Sequence, residues 1–170
     1  MDKTVYFDMD GVLADWIAGF EARFPDVPYS HYNALSEKEQ SPFRNDIDGD
    51  GHFYLELRPF KKVIAAFMAL KKLGYRAEIL SSVGRYFPER VIQQKEAWLT
   101  QHMGADIVSN FVHKSEHKAH YANTHTLLLD DRAKSIDPFL KAGGRGMIFH
   151  GSHVKDPQEV IELVEQIFNQ

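Results

Sequence analysis

The chain has 170 residues, 44% of them hydrophobic and 26% charged, with 20 Lys plus Arg against 24 Asp plus Glu for a formal net charge of −4. This is the balance of a single globular domain with at most a small insertion, and it excludes both a disordered chain and the overall basic footprint of a nucleic-acid binder. The absence of cysteine excludes a disulfide framework, thiolate metal sites and a cysteine nucleophile.

Thr4 to Met9 is a short β-prone apolar run that reads as a buried strand, and it ends in Asp8-Met9-Asp10-Gly11. From Leu13 the period changes. Leu13, Trp16, Ile17, Phe20 and Phe24 line one face of a helix, which Pro25 and Pro28 terminate. Residues 25–58 are polar and rich in Asn, Ser, Asp and Gly, with few regular periods, and read as part of a small inserted module. A second helix opens at Pro59, buries Val63, Phe67 and Leu70, and stops at Gly74. Ala77 to Leu80 reads as a strand running into Ser81-Ser82, and Pro88 starts a helix through Trp98 and Leu99. Asp106 to Val112 predicts a third strand, and 113–124 a polar stretch with a short helix. Thr126 to Leu129 is a fully apolar strand ending in Asp130-Asp131. A helix over Ala133 to Ala142, a fifth strand over Gly146 to Phe149 and a last helix opened by Asp156-Pro157-Gln158-Glu159 complete the chain.

Strands alternating with helices predict an α/β fold: a Rossmann-like three-layer α/β/α sandwich around a five-stranded parallel sheet. Residues 1–15 and 59–170 form the expected core, and 16–58 a small cap inserted after the first strand. The start of the chain lacks the apolar run and cleavage site of a signal peptide, and no window approaches the ~18 apolar residues of a membrane span. A cytoplasmic protein with no membrane partner is the expectation.

In such sheets ligands bind beyond the carboxyl ends of the strands. Asp8, Asp10, Asp130 and Asp131 would meet there, and carboxylates so crowded cannot all stay ionised without a cation. A hard, oxygen-rich site of this kind suits Mg²⁺, which keeps some of its waters and also grips a substrate phosphate. Ser81 and Ser82 add phosphate donors without charge. A lysine completes such a site, and Lys114 and Lys118 both lie in the stretch before the fourth strand.

These residues carry a resemblance. Asp8-Met9-Asp10-Gly11-Val12-Leu13-Ala14-Asp15 resembles the first motif of the haloacid dehalogenase superfamily of phosphatases, and Ala77-Glu78-Ile79-Leu80-Ser81-Ser82 its second. Lys118 within His117-Lys118-Ala119-His120 resembles the third motif, and Leu127-Leu128-Leu129-Asp130-Asp131-Arg132 the fourth. The pattern is most similar to the 5′(3′)-deoxyribonucleotidase-like branch, including Phe53-Tyr54-Leu55-Glu56-Leu57-Arg58-Pro59. Where that branch has Thr-Ser-Pro, this chain has Ser81-Ser82-Val83, which retains a hydroxyl.

The resemblance implies a Mg²⁺-dependent phosphomonoesterase acting on a small phosphate ester, a nucleoside monophosphate above all. Asp8 would be the nucleophile and Asp10 the general acid and base. Asp8, Asp10 (through its backbone carbonyl) and Asp131 would hold Mg²⁺, with Asp130 ordering its waters. Ser81, Ser82 and Lys118 would bind the phosphoryl group, with Lys114 as the rival lysine. In the cap, Phe43, Arg44, Phe53 and Tyr54 are candidates to meet the substrate or else to pack the cap itself. Other readings are a phosphatase of another small metabolite or of a polynucleotide 3′-phosphate end, and a receiver-like signalling module phosphorylated on Asp. The acidic balance speaks against a long nucleic acid as partner.

Two further patterns invite a metal reading. Asp46-Ile47-Asp48-Gly49-Asp50-Gly51 begins like an EF-hand loop, but its twelfth position is Leu57, and a turn-rich stretch is expected instead. His113 and His117 have helical i, i+4 spacing without the glutamate of a zincin, so solvated histidines are the expectation.

Overall fold

The computed structural model describes residues 2–170. Five strands, β1 (Thr4–Phe7), β2 (Arg76–Ser82), β3 (Ser109–Val112), β4 (Thr126–Asp130) and β5 (Arg145–Ile148), form one parallel sheet in the order β3-β2-β1-β4-β5. The helices are α1 (Trp16–Arg23), α2 (Tyr29–Ala34), α3 (Glu37–Gly49), α4 (Lys61–Lys72), α5 (Pro88–Met103), α6 (Ala133–Lys141) and α7 (Pro157–Phe168), with a 3-10 helix over Ser115–Tyr121. The expected three-layer α/β/α sandwich is therefore the observed one. None of the described helices is long and apolar enough to cross a membrane.

Alternation along the central strands builds the two sides of the core. Val5, Phe7, Ile79, Leu127 and Leu129 face one layer, with Phe67 of α4, Trp98 of α5 and Val164 of α7. Tyr6, Leu80 and Leu128 face the other, with Ile136 and Phe139 of α6. The chain steps outward from β1 through β2 to β3, then returns across β1 to β4 and β5. The order thus reverses between β1 and β4, and at that switch point the two following loops part to leave a crevice.

The turn after β1 is held by one acceptor: the Met9 carbonyl takes the N–H groups of Val12, Leu13 and Ala14. Gly11 is required there. Its φ is +81°, and a Cβ on it would lie 2.2 Å from Asp131 Oδ2. Asp15 then caps α1 by accepting from the Ala18 N–H at 3.1 Å.

Residues 25–58 depart from expectation, since they are largely helical. Ser36 and Glu39 form a reciprocal capping box that starts α3, a Ser-x-x-Glu signature present in the sequence but masked by the polar composition around it. Asp46 to Gly49 is the last turn of α3 rather than a turn-rich loop, and Arg23 ion-pairs with both Asp46 and Asp50. Trp16, Phe20 and Phe24, in and just after α1, form an aromatic cluster with Tyr29, Tyr32 and Phe43 of this segment, with ring centroids 4.5 to 6.3 Å apart. At the other end of the chain, Asp156 caps α7 and Pro157 takes its first turn as expected. Glu159, however, accepts the Lys155 N–H instead of closing a box with Asp156.

Trp98 joins the stretch between α3 and α4 to the core. It is fully buried, and its Nε1–H donates to the Leu57 carbonyl at 2.8 Å. Trp98→Ala is expected to destabilise the protein by about 3–5 kcal/mol, read from the denaturant midpoint at unchanged slope. A loss below about 1 kcal/mol would mean that the core closes over the vacated volume.

Candidate active site

The switch point gathers the acidic residues. Asp8 follows the last residue of β1, Asp130 ends β4, and Asp131 begins the loop to α6. Ligand oxygens of these three lie within 4.8 Å of one another. Lys118, brought in from the 3-10 helix, donates to Asp8 Oδ1 at 2.8 Å and to Asp130 Oδ2 at 2.6 Å. Asp130 Oδ1 accepts the Arg132 N–H at 3.0 Å, which fixes the loop that presents Asp131.

The electrostatics are those of an incomplete charge set. Burial, and then the Asp130 charge, push the Asp8 carboxyl above the usual carboxylate range, against the pull of Lys118. Burial works against the Lys118 ammonium too, but Asp8 and Asp130 outweigh it and hold it above the ordinary lysine value. Asp131 is pushed up to about 8, first by burial and then by the charges of Asp8, Asp130 and Asp10. Its Oδ1 is buried and has no hydrogen-bond partner among the described residues, and the same is true of Asp10 Oδ1. Converging carboxylate oxygens, an unpartnered one among them, are the donor set of a hard divalent cation, so the residues fit Mg²⁺.

A cleft of about 1180 Å³ opens over this floor, lined by Asp8, Asp10 and Asp131 from the core and by residues of α1, α2 and α3. The predicted residues divide around it. Ser82 lines the cleft, whereas Ser81 is fully buried behind it, its Oγ accepting from Lys95 at 2.8 Å. Arg44 and Tyr54 line the cleft, the Arg44 guanidinium lying 6.0 Å from the Trp16 ring centroid. Phe43 and Phe53 do not; they pack against Phe20, Phe24 and Tyr32 and against Trp16 and Tyr54 respectively. Lys114 lies on the cleft wall and Lys118 is buried between the carboxylates.

Sequence reasoning missed two residues that the fold brings to the floor. Lys95 of α5 is 1% exposed and donates to Asp10 Oδ2 at 3.0 Å as well as to Ser81. Asp48 of α3 accepts the Tyr54 hydroxyl at 2.6 Å, and burial, only partly offset by that bond, pushes its carboxyl up to about 6. Lys95 sits in no recognisable motif, and Asp48 only in the stretch that begins like an EF-hand loop. A lysine at an otherwise apolar helical position, three residues before Trp98, was the one available signal for Lys95.

No family model matches the chain. It is 29% identical over 152 residues to the mitochondrial 5′(3′)-deoxyribonucleotidase of Mus musculus, a match covering 75% of this chain and 64% of that protein. It is 26% identical over 124 residues to the cytosolic-type 5′(3′)-deoxyribonucleotidase of Homo sapiens, covering 64% and 61% respectively. The matched region is thus less than two thirds of the length of either relative. Among solved structures, a haloacid dehalogenase-like family hydrolase from Xanthomonas campestris superposes with a TM-score of 0.58 at 13% identity, over 99% of this chain and 93% of that one. The sequence resemblance to the nucleotidases and the likeness of fold to the haloacid dehalogenase-like hydrolases therefore point the same way.

Two outcomes follow from the charge set, independent of any activity. Lys118→Ala, in chelator at neutral pH, should destabilise the protein by about 3–5 kcal/mol because it strands buried carboxylates. Lys114→Ala should stay within about 0.5 kcal/mol; equal losses in chemical denaturation would deny Lys118 this central place. The raised Asp131 carboxyl binds a proton more tightly in the folded state than in the unfolded one. Its contribution to stability is full below its ordinary value of 3.8 and is lost as the pH rises through about 8. A bound cation competes with that proton. The rise in melting temperature from chelator to Mg²⁺ should therefore be larger at pH 8.5 than at pH 6, and a pH-independent rise would contradict the site.

Proposed function

We propose, for a chain with the haloacid dehalogenase-like fold and a sequence resembling the 5′(3′)-deoxyribonucleotidases, that it is a Mg²⁺-dependent phosphomonoesterase of small phosphate esters, nucleoside monophosphates foremost. The observation that carries this reading is the meeting of Asp8, Asp10 and Asp131 on the floor of one cleft at the sheet's switch point, with Lys118 and Asp130 buried beneath them. Asp8, Asp131 and the backbone carbonyl of Asp10 would hold Mg²⁺, with Asp130 in support, and the bound ion would supply positive charge to the phosphoryl oxygens.

The protein's own groups account for the remaining steps. Lys118 orients Asp8 and keeps the attacking oxygen in place. The Asp8 carboxylate bonds to phosphorus as the ester oxygen leaves, and Asp10 gives that oxygen its proton. Asp10 then takes a proton from a water whose oxygen attacks the aspartyl-phosphate, releasing phosphate and restoring Asp8. The second acid favours a phosphate ester over the receiver-like alternative, because a signalling module needs no proton donor for turnover. Ser82, on the cleft wall, contacts the phosphoryl group, and Ser81 supports it from behind.

Residues 16–58 act as a cap that narrows the site and excludes water. Tyr54 and Arg44 meet the nucleoside part of the substrate, with Trp16, Tyr29 and Tyr32 completing an aromatic wall. Phe43 and Phe53 build the cap's own core.

A screen with Mg²⁺ across nucleoside monophosphates, sugar phosphates and 3′-phosphorylated oligonucleotides tests the substrate, and nucleoside monophosphates should lead in kcat/KM. Asp8→Asn should abolish both turnover and phosphoenzyme while retaining the fold, since it removes one charge from a crowded acidic floor. Undiminished hydrolysis by this variant would rule out the nucleophile.

A further inference from the structure

Lys95 lies outside every motif, yet it is as deeply buried as Lys118. A buried ammonium is costly unless all its donors are satisfied. Here all three are: by Asp10 Oδ2 at 3.0 Å, Ser81 Oγ at 2.8 Å and the Ser82 carbonyl at 3.1 Å. The Tyr54 ring covers it, with its centroid 5.0 Å from Nζ. That ring is itself tied down, its hydroxyl donating to Asp48 and its backbone N–H donating to the Gln94 side chain at 3.0 Å. Only one of the three acceptors belongs to an acidic side chain, and it is one oxygen of Asp10. The other oxygen, Oδ1, is buried and has no partner among the described residues.

This asymmetry has a chemical consequence. A carboxyl with both oxygens free could turn either one to the reacting centre, or neither. With Oδ2 clamped, the side-chain torsions of Asp10 are fixed and Oδ1 alone is available. We propose that Lys95 is a positioning residue that holds Asp10 Oδ2 so that Oδ1 serves as the proton-transfer atom in both chemical steps. The proposal rests on the phosphatase reading above. In the first step the Oδ1–H bond breaks and its proton goes to the ester oxygen as that oxygen leaves phosphorus. In the second step Oδ1 takes the proton of the water whose oxygen bonds to phosphorus and displaces the Asp8 carboxylate. Lys95 neither gains nor loses a proton. Because the same ammonium binds Ser81 and the Ser82 carbonyl, it also holds the acid in register with the end of β2 that lines the phosphate site.

The test is a double-mutant cycle of Lys95→Met and Asp10→Asn, read with a nucleoside 5′-monophosphate and with p-nitrophenyl phosphate. The alkyl leaving group needs the proton, and the aryl one departs without it. Acid–base help is worth about 10²–10⁴-fold, so Lys95→Met should lower kcat on the nucleotide by roughly 10–100-fold. KM should change little, and phosphorylation of Asp8 by the aryl ester should be nearly unaffected. Rapid-quench sampling with the aryl ester should then find accumulated phosphoenzyme. In the Asp10→Asn background the same substitution should cost less than about threefold more. If Lys95→Met does not fold by circular dichroism, Lys95→Gln, which keeps a polar group of similar reach, replaces it in the cycle. Equal losses in the rate of Asp8 phosphorylation by the two esters, or losses that multiply independently of Asp10, would reduce Lys95 to a packing role and overturn the proposal. A wild-type protein that hydrolyses neither ester overturns the phosphatase reading, and this inference falls with it.

Discussion

The Lys118 ammonium between Asp8 and Asp130 is the constraint on which the rest of the site depends. Three carboxylates with oxygens inside 4.8 Å would repel one another in a buried crevice, and one fixed cation lets two of them approach. The third, Asp131, is left without such a partner, and burial first, then its carboxylate neighbours, raises its carboxyl. A site built this way is stable enough to fold and still short of positive charge. That is the condition for binding a divalent cation and, with it, an anionic ester.

The sheet makes this arrangement possible. Parallel strands deliver their carboxyl ends to one edge, and the reversal of order between β1 and β4 opens the crevice there. The tight turn after β1 then folds back beneath Asp131, where only glycine fits at position 11. The 3-10 helix between β3 and β4 carries Lys118 inward over the same edge. The polar groups on the floor thus come from the ends of β1 and β4 and from the 3-10 helix between β3 and β4. A shift of the sheet register by one residue would turn Asp8 or Asp130 away into the apolar layers.

Residues 50–57 are coupled to that floor through α5. Gln94 binds Tyr54 and the Asp50 carbonyl, Lys95 underlies the Tyr54 ring, and Trp98 takes the Leu57 carbonyl. Three neighbouring positions on one helix therefore hold the return of the insert. One of them also holds Asp10. The placement of residues 50–57 and the orientation of Asp10 are two outcomes of the same packing.

Much was legible in the sequence because it is encoded locally. Apolar runs followed by Asp8-Met9-Asp10 or Asp130-Asp131, helix periods with Pro and Gly at their ends, and the alternation of strand and helix all lie within short windows. Together they were enough for the parallel sheet and the acidic edge. The helices of 29–49 were obscured because their polar faces outweigh a short apolar stripe, even though the Ser36–Glu39 box marked the start of α3. Only the tertiary structure decided which lysine meets Asp8, 110 residues away, and that Lys95 meets Asp10 across 85 residues. It alone turned Ser81 inward and Ser82 to the cleft, and sent Phe43 and Phe53 into the insert while Arg44 and Tyr54 face the cavity. Local pattern specifies the period and the ends of an element. Where a side chain finds its charge partner depends on elements far apart in the chain, and is set when they pack.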